Sequence, residues 1–432
     1  MVHAGRSARR GRILCHVSPA PNSLLRDGWL VRLCLARALM MLPAMSYAGA
    51  LPLLRTEWSM SATAAGSIST SSQLGYAVSL LALSWLADRV GARRVFVVSS
   101  VVSGVAAIAF ALFARSYASA IVLHTLASMA QGGTYTTLIM LFADRYPPER
   151  RGTAVGWLIA ALSLGYALSL AVTGLMLPFG GYPAAFIVTS AGCVVGAVIA
   201  IAALRDTPNV VHARSATRGF GGDVLTNRHA MLLMAGYTAH SWELLGMWAW
   251  VPAFIAATLV LSGSQALEAT QLGAYAAAAF HLVGLVASSS MGRLSDRLGR
   301  RAVLIGCAAI AAACSFTFGW LVAAPAALVL IVGAIYAFTA IGDSPVLSTA
   351  MTEAVPATYL GSALAIRSLL GFGAGAIAPL TFGAILDATN PARATASEWG
   401  WAFVALGAGG LIATVCAWTL PRARASARAV RA

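Results

Sequence analysis

The chain has 432 residues, of which 59% are hydrophobic and only 10% charged, with a formal net charge of +15. A soluble domain carries about 25% charged residues, so this composition excludes an ordinary soluble protein and marks a multi-span membrane protein. The positive balance does not mark a nucleic-acid binder: the chain has no lysine, and its arginines gather in short loops and at the two ends rather than on a soluble basic domain.

In chain order, residues 1–28 carry Arg6, Arg9, Arg10, Arg12 and Arg26 with no acid before Asp27. They are expected to form a basic, disordered cytoplasmic arm. A cleavable secretory signal is not expected, because the first apolar run, from about Trp29 to Leu54, is too long for one. A membrane-spanning helix needs about 20 mostly apolar residues. Twelve runs meet that need: 29–54, 63–87, 93–114, 117–142, 153–178, 183–204, 229–257, 269–291, 302–322, 325–351, 359–386 and 398–420. The expected architecture is an all-α membrane protein of twelve transmembrane helices. The first six runs make an N-terminal bundle over 29–204, and the last six make a C-terminal bundle over 229–420. The polar, basic stretch 205–228 is the linker, and 421–432 is a basic cytoplasmic tail.

Orientation follows from arginine placement. With both termini cytoplasmic, only Arg55, Arg115 and Arg393 fall in outer loops, so that topology is expected. Trp242, Trp248, Trp250, Trp399 and Trp401 are expected as anchors at the outer interface. Five of the six cysteines fall inside apolar runs and none forms a CxxC pair, so inert thiols are expected, with no disulfide framework and no metal site. The absence of lysine and the abundance of alanine point to GC-rich coding and a bacterial source, hence to the bacterial inner membrane.

Two charged hairpins repeat at nearly half the chain length. Gly292-Arg-Leu-Ser-Asp-Arg-Leu-Gly-Arg-Arg301 follows the eighth run; Ser84-Trp-Leu-Ala-Asp-Arg-Val-Gly-Ala-Arg-Arg94 follows the second. A second pair of landmarks, Asp144-Arg-Tyr-Pro147 and Glu353-Ala-Val-Pro356, follows the fourth and tenth runs. Two markers with almost the same offset argue for a parallel internal repeat, because six helices per half preserve orientation.

On these residues the chain resembles the major facilitator superfamily of transporters. The family's hairpin pattern is matched by Gly292, Leu294, Asp296, Arg297, Gly299, Arg300 and Arg301. Leu86, Asp88, Arg89, Gly91, Arg93 and Arg94 match it in the first half, where Ser84 replaces the leading glycine. The resemblance implies two pseudo-symmetric six-helix bundles around a central cavity, working by rocker-switch alternating access. It also implies a gating role for the hairpins, with Asp88 latching the halves in the outward-facing state and releasing them in the inward-facing one. The family's antiporter pattern on the fifth helix is not matched at Gly165-Tyr-Ala-Leu-Ser169, which favours uptake over drug–proton antiport. Gly152-x-x-x-Gly156 and Gly371-x-Gly-x-Gly375 allow close helix approach.

A charge at the bilayer centre costs about 2.5–3.5 kcal/mol on insertion scales, so each charge inside a run calls for a partner or a cavity. Arg37 and Arg367 each sit two turns into a helix and are read as substrate-binding or gating residues, or as snorkelling ones. Glu243 has His240 on its face, a carboxylate–imidazole pair suited to proton coupling. Asp343 precedes Pro345, which frees a backbone carbonyl beside an acid, and Arg367 is a possible partner for it. His124 and Gln131 share a face of the fourth run, with Thr134 and Tyr135 beyond. Glu57, Asp387 and Glu398 lie near run ends and carry no expected role.

The expected function is secondary active transport, coupled to protons, of a small organic solute, with a lean to a carboxylate or other organic anion. Proton-coupled efflux of hydrophobic or cationic compounds is the alternative, and a non-transporting membrane sensor is a third reading of another class. No enzyme chemistry and no cofactor are expected, since there is no nucleotide loop or metal-ligand spacing. The expected partners are the solute, a proton and the lipid bilayer, with the chain a monomer.

Overall fold

The computed structural model describes residues 27–211, 226–391 and 397–421. Of the expected arm, linker and tail, residues 1–26, 212–225 and 422–432 lie outside the described residues. Twelve α-helices are present among those described: α1 (Gly28–Met40), α2 (Ser46–Glu57), α3 (Ala62–Val90), α4 (Ala92–Phe113), α5 (Tyr117–Arg145), α6 (Pro148–Ala203), α7 (Arg228–Leu261), α8 (Ala266–Leu298), α9 (Arg300–Phe318), α10 (Ala326–Ala354), α11 (Ala357–Thr389) and α12 (Gly400–Thr419).

These helices reproduce the twelve apolar runs with two differences, both caused by backbone chemistry. The first run is split into α1 and α2 by a turn at Met41–Met45 around Pro43, which has no N–H to continue a helix. The fifth and sixth runs join in α6 across Gly180 and Gly181; the latter has φ +64, and Pro178 and Pro183 flank the pair. Eight helices are long and apolar enough to cross a membrane by length and composition alone, and α6 has the length of two spans. Serine, threonine, glycine and glutamine dilute α3 and α5, and α1 and α2 are each short.

The internal repeat is visible in the backbone. The two hairpins turn at Gly91 (φ 93, ψ 139) and Gly299 (φ 89, ψ 147). This left-handed region strains any side-chain-bearing residue, so glycine is required at both turns. Arg93 Nε donates to the Leu204 carbonyl at 2.9 Å, and Arg301 donates to the Trp418 carbonyl at 2.7 Å. Each hairpin thereby caps the exposed carbonyl end of the last helix of its own half, where cations are favoured. The N-cap residues of α1 and α7 also play matching parts. Asp27 accepts the Trp29 N–H and the Tyr146 hydroxyl, and Asn227 accepts the His229 N–H and donates to the Ala354 carbonyl.

The hydrophobic cores show which end of the molecule is shut. At the hairpin end the halves have separate cores: Trp29, Phe96, Phe142 and Leu204 in the first, Leu233, Leu304, Leu347 and Leu420 in the second. At the opposite end one core spans both, joining Tyr47, Phe110 and Phe186 to Trp250, Phe254, Phe382 and Phe403. There α3 and α11 touch backbone to backbone. A methyl on Gly66 would strike the Pro379 carbonyl, and one on Gly383 would strike the Ala62 carbonyl. The structure is closed at this opposite face and parted at the hairpin face. In keeping with that, Gly152, Gly156 and Gly292 have open space around them, so the first two make no close helix approach here. Gly371 and Gly375 do, against Tyr237, Ser241 and Leu245 of α7.

Two expectations need correction. Trp248, Trp250 and Trp399 are not interface anchors; they are buried at 6%, 1% and 2% exposure in the shared core. Trp250 spends its one donor on the Pro379 carbonyl at 3.1 Å, a buried role that tryptophan fills when its N–H finds a partner. Trp401 is exposed and packs edge-on against Trp320, as an anchor would. Asp387 is not inert. From α11 of the second half it accepts the Ala62 N–H (2.8 Å), the Thr63 N–H (2.7 Å) and the Thr63 hydroxyl (2.6 Å) at the N-terminus of α3 in the first half. Ser61 takes the next N–H of that turn, from Ala64. A carboxylate here meets orphan donors and the positive end of the helix dipole together.

Candidate functional site

A central cavity of about 180 Å³ lies between the halves. The first half supplies its polar wall. Ser69, Ser72, Gln73 and Tyr76 project from one face of α3, at helical spacing, and His124, Ser128 and Gln131 do so from α5. Ser103 comes from α4 and Tyr166 from α6, while Met41, Pro43, Ala44 and Met45 of the broken first helix complete that side. The second half contributes Leu245, Trp248, Ala249 and Phe372, all without charge.

Arg37, the only charged residue on this wall among the described residues, is 1% exposed. Its Nη1 donates to Gln131 Oε1 at 3.1 Å and to the Thr134 hydroxyl. Gln131 in turn donates to the Met40 carbonyl at 2.7 Å, at the point where α1 ends. The guanidinium is thus held on two neutral acceptors, and its Nε has no partner among the described residues. Among the described residues no carboxylate pairs with it. Two further buried polar atoms on the same wall, Gln73 Oε1 and Ser103 Oγ, also lack partners. His124 packs between the rings of Tyr47 and Phe110 at 5.5 and 5.1 Å.

The remaining expected residues sit inside the second half, away from the cavity wall. His240 Nδ1 lies 2.9 Å from Asp343 Oδ1, close enough for an ion pair, although the ring N–H is not aimed at that oxygen as a hydrogen bond. His240 Nε2 is 2.9 Å from the Ser344 hydroxyl. Asp343 faces a small void among Leu233, Gly236, Leu304 and Leu347. Glu243 points elsewhere: Tyr336 donates its hydroxyl to Glu243 Oε1 at 3.1 Å and bonds Ser315 at 2.9 Å. Two sequence readings are corrected here. Glu243 does not pair with His240, because one helical turn carries the two side chains to different neighbours. Arg367 does not pair with Asp343; it lies 4.1 Å over the Tyr237 ring and donates to Ser348.

The hairpins differ between the halves. Arg300 binds Asp296 at 2.5 Å and Glu353 at 3.0 Å, tying hairpin to acid landmark in the second half. In the first half Asp88 is exposed and has no hydrogen-bond or ion-pair partner among the described residues. Arg89 stacks over Trp85 at 3.6 Å, and the backbone N–H of Arg94 binds Asn209 at 3.1 Å. Arg297 is exposed. The Ser84 hydroxyl donates to the Leu80 carbonyl of its own helix, so the departure from glycine leaves no unmet polar group. Asp88→Asn is therefore expected to leave the melting temperature of this conformation unchanged while lowering the transport rate. Unchanged uptake at equal membrane levels would show that Asp88 latches nothing.

Sequence reasoning missed the α3 stripe, Ser103 and Asp387. The stripe had a readable signal, four polar residues at positions i, i+3, i+4 and i+7 of one apolar run. The other two had none, since their importance depends on partners far away in the chain.

Comparison with known proteins places this geometry. The chain is 24% identical over 288 residues to the protein named "Probable sulfoacetate transporter SauU" of Cupriavidus necator, covering 62% of this chain and 64% of that one. It thus spans just under two thirds of that relative's length. It is 25% identical to the "Probable 4-methylmuconolactone transporter" of Cupriavidus pinatubonensis, over 75% of this chain and 76% of that one. Among solved structures, a bacterial homologue of the human lysosomal transporter Spinster, in an inward-facing and unoccupied conformation, superposes with a TM-score of 0.73 at 16% identity. That match covers 93% of this chain and 97% of the other and shows a shared fold. The Major Facilitator Superfamily model matches residues 33–280 and 244–432. With two six-helix bundles, duplicated hairpins and a central cavity, the chain belongs to the Major Facilitator Superfamily.

Proposed function

We propose that the protein moves a small organic anion across a bacterial inner membrane by alternating access, driven by protons, as a monomer with both termini cytoplasmic. One observation carries the reading: Arg37 is a fully buried guanidinium on the cavity wall with no carboxylate partner among the described residues. An unpaired buried charge is costly, and an anionic ligand offsets that cost. The name of the sulfoacetate relative, an anion, agrees with this direction. Efflux of cations is disfavoured, because Glu243 and Asp343 do not line the cavity and no other acid among the described residues does.

Proton coupling rests on the second half. Glu243, His240 and Asp343 are 3%, 3% and 4% exposed, and each is held by neighbours within the bundle. Buried titratable groups of this kind, off the ligand path, are suited to carry a proton between the two conformations. Glu243→Gln and Asp343→Asn are each expected to abolish accumulation driven by an inward proton gradient in proteoliposomes, while exchange of labelled for unlabelled anion continues. Wild-type accumulation in both variants would remove these residues from the coupling path.

A further inference from the structure

The cavity holds more unmet polarity than an anion site needs. Arg37 Nε accounts for the anionic group. Gln73 Oε1 and Ser103 Oγ are separate buried atoms on α3 and α4, also without protein partners, and they line the same space. Serine 103 is 1% exposed. Whichever way the Gln73 amide is turned, it makes no side-chain hydrogen bond among the described residues, and Gln73 lines the cavity.

We propose that Gln73 and Ser103 are the specificity-determining residues of this site and that the ligand is a small hydroxylated organic acid, its anionic group at Arg37 and its hydroxyl at Gln73 and Ser103. This deepens the anion reading and rests on it. Three points support the choice of a hydroxyl. A hydroxyl both donates and accepts, so it meets the Gln73 amide in either orientation as well as the Ser103 hydroxyl, and a ligand that displaces water there without replacing its hydrogen bond loses affinity. The group there is neutral, because among the described residues no acid lines the cavity to balance an ammonium group. The ligand is also small: a cavity of about 180 Å³ suits an acid of a few carbons.

The arrangement separates two tasks. Among the described residues the polar recognition lies in the first half, on α1, α3, α4, α5 and α6. The second half presents Leu245, Trp248, Ala249 and Phe372, an apolar surface that can close over the ligand's hydrocarbon face and withdraw from it without breaking a hydrogen bond. A ligand held by one half while the other moves past it keeps its anchor through the conformational change.

The test uses matched acids with the full chain in proteoliposomes: lactate against propionate, mandelate against phenylacetate, and isethionate against ethanesulfonate. Uptake of each labelled acid, competed by its unlabelled partner, is measured for the wild type, Gln73→Leu and Ser103→Ala, with membrane insertion checked for each. In at least one pair the hydroxylated acid is expected to compete about tenfold better than its deoxy partner, the worth of one hydrogen bond to a buried group. That preference is expected to fall towards unity in Gln73→Leu or Ser103→Ala, with the deoxy acid unaffected. The proposal is overturned if the deoxy acids compete equally well in every pair, or if the preference survives in both variants. If no acid of any pair competes, the anion reading itself fails, an outcome distinct from acids that bind without preference. Ser103→Ala removes a single oxygen, so it keeps the test decisive should Gln73→Leu fail to insert.

Discussion

Arg37→Gln is expected to abolish anion uptake and at the same time to raise the thermal stability of the empty protein. Truncating one partner of a buried charge pair costs about 2–5 kcal/mol, roughly 30- to 4,000-fold in affinity. The ligand would lose its counter-charge, while Gln131 and Thr134 would keep a neutral neighbour in place of a guanidinium. The empty state behaves oppositely, because it holds that guanidinium buried on neutral acceptors with Nε unmet. Removing a buried unpaired charge relieves a desolvation cost. Arg37→Lys keeps the charge but loses the planar fork, so its uptake should fall between the two. Thermal melting and uptake of the same purified variants check both halves of the prediction. A variant that loses uptake and stability together would mean that Arg37 is structural.

The second large effect concerns the closed face. Gly66→Ala and Gly383→Ala each place a methyl where the opposing helix has a backbone carbonyl, and a backbone cannot step aside as a side-chain tip can. Overpacking of this kind costs about 1–3 kcal/mol, which shifts a two-state balance roughly 5- to 150-fold. The closed face would then fail to close, and the variants should favour the state open to that side. Asp387→Ala removes three acceptor contacts from the first turn of α3 and should push the same way by about 1–2 kcal/mol, the worth of a helix cap. Labelling of single cysteines at the hairpin end of α3 and at the opposite end reads the balance directly. Less labelling at the hairpin end and more at the other is the expected pattern. Unchanged labelling in all three variants would mean that this face is not a moving gate.

The fold was legible because its signals are local. Spanning runs, the two hairpins with their glycine turns, and the basic loops are all written in consecutive residues. Arg37, Gln131 and His124 were legible for a related reason, since a polar group inside an apolar run announces its own cost. Pairing was not legible. His240 and Glu243 share a helix face by spacing, yet one meets Asp343 and the other Tyr336, a choice made by how α10 packs against α7. Asp387 looks like any acid at a helix end until α3 is brought to it across 324 residues of chain. Trp250 was misplaced because an interface anchor and a buried aromatic with a bonded N–H have the same local sequence. The serines and glutamine of α3 carry no charge, so they raised no alarm, although their spacing marked a face.

The central claim is that this cavity takes an organic anion, and it is tested most directly by solute choice. The full chain in proteoliposomes, under an imposed inward proton gradient, would be offered labelled organic acids, neutral sugars and organic cations in parallel. Accumulation of at least one small acid, absent in Arg37→Gln, is the predicted result. Accumulation of a sugar or a cation with none of any acid would contradict it.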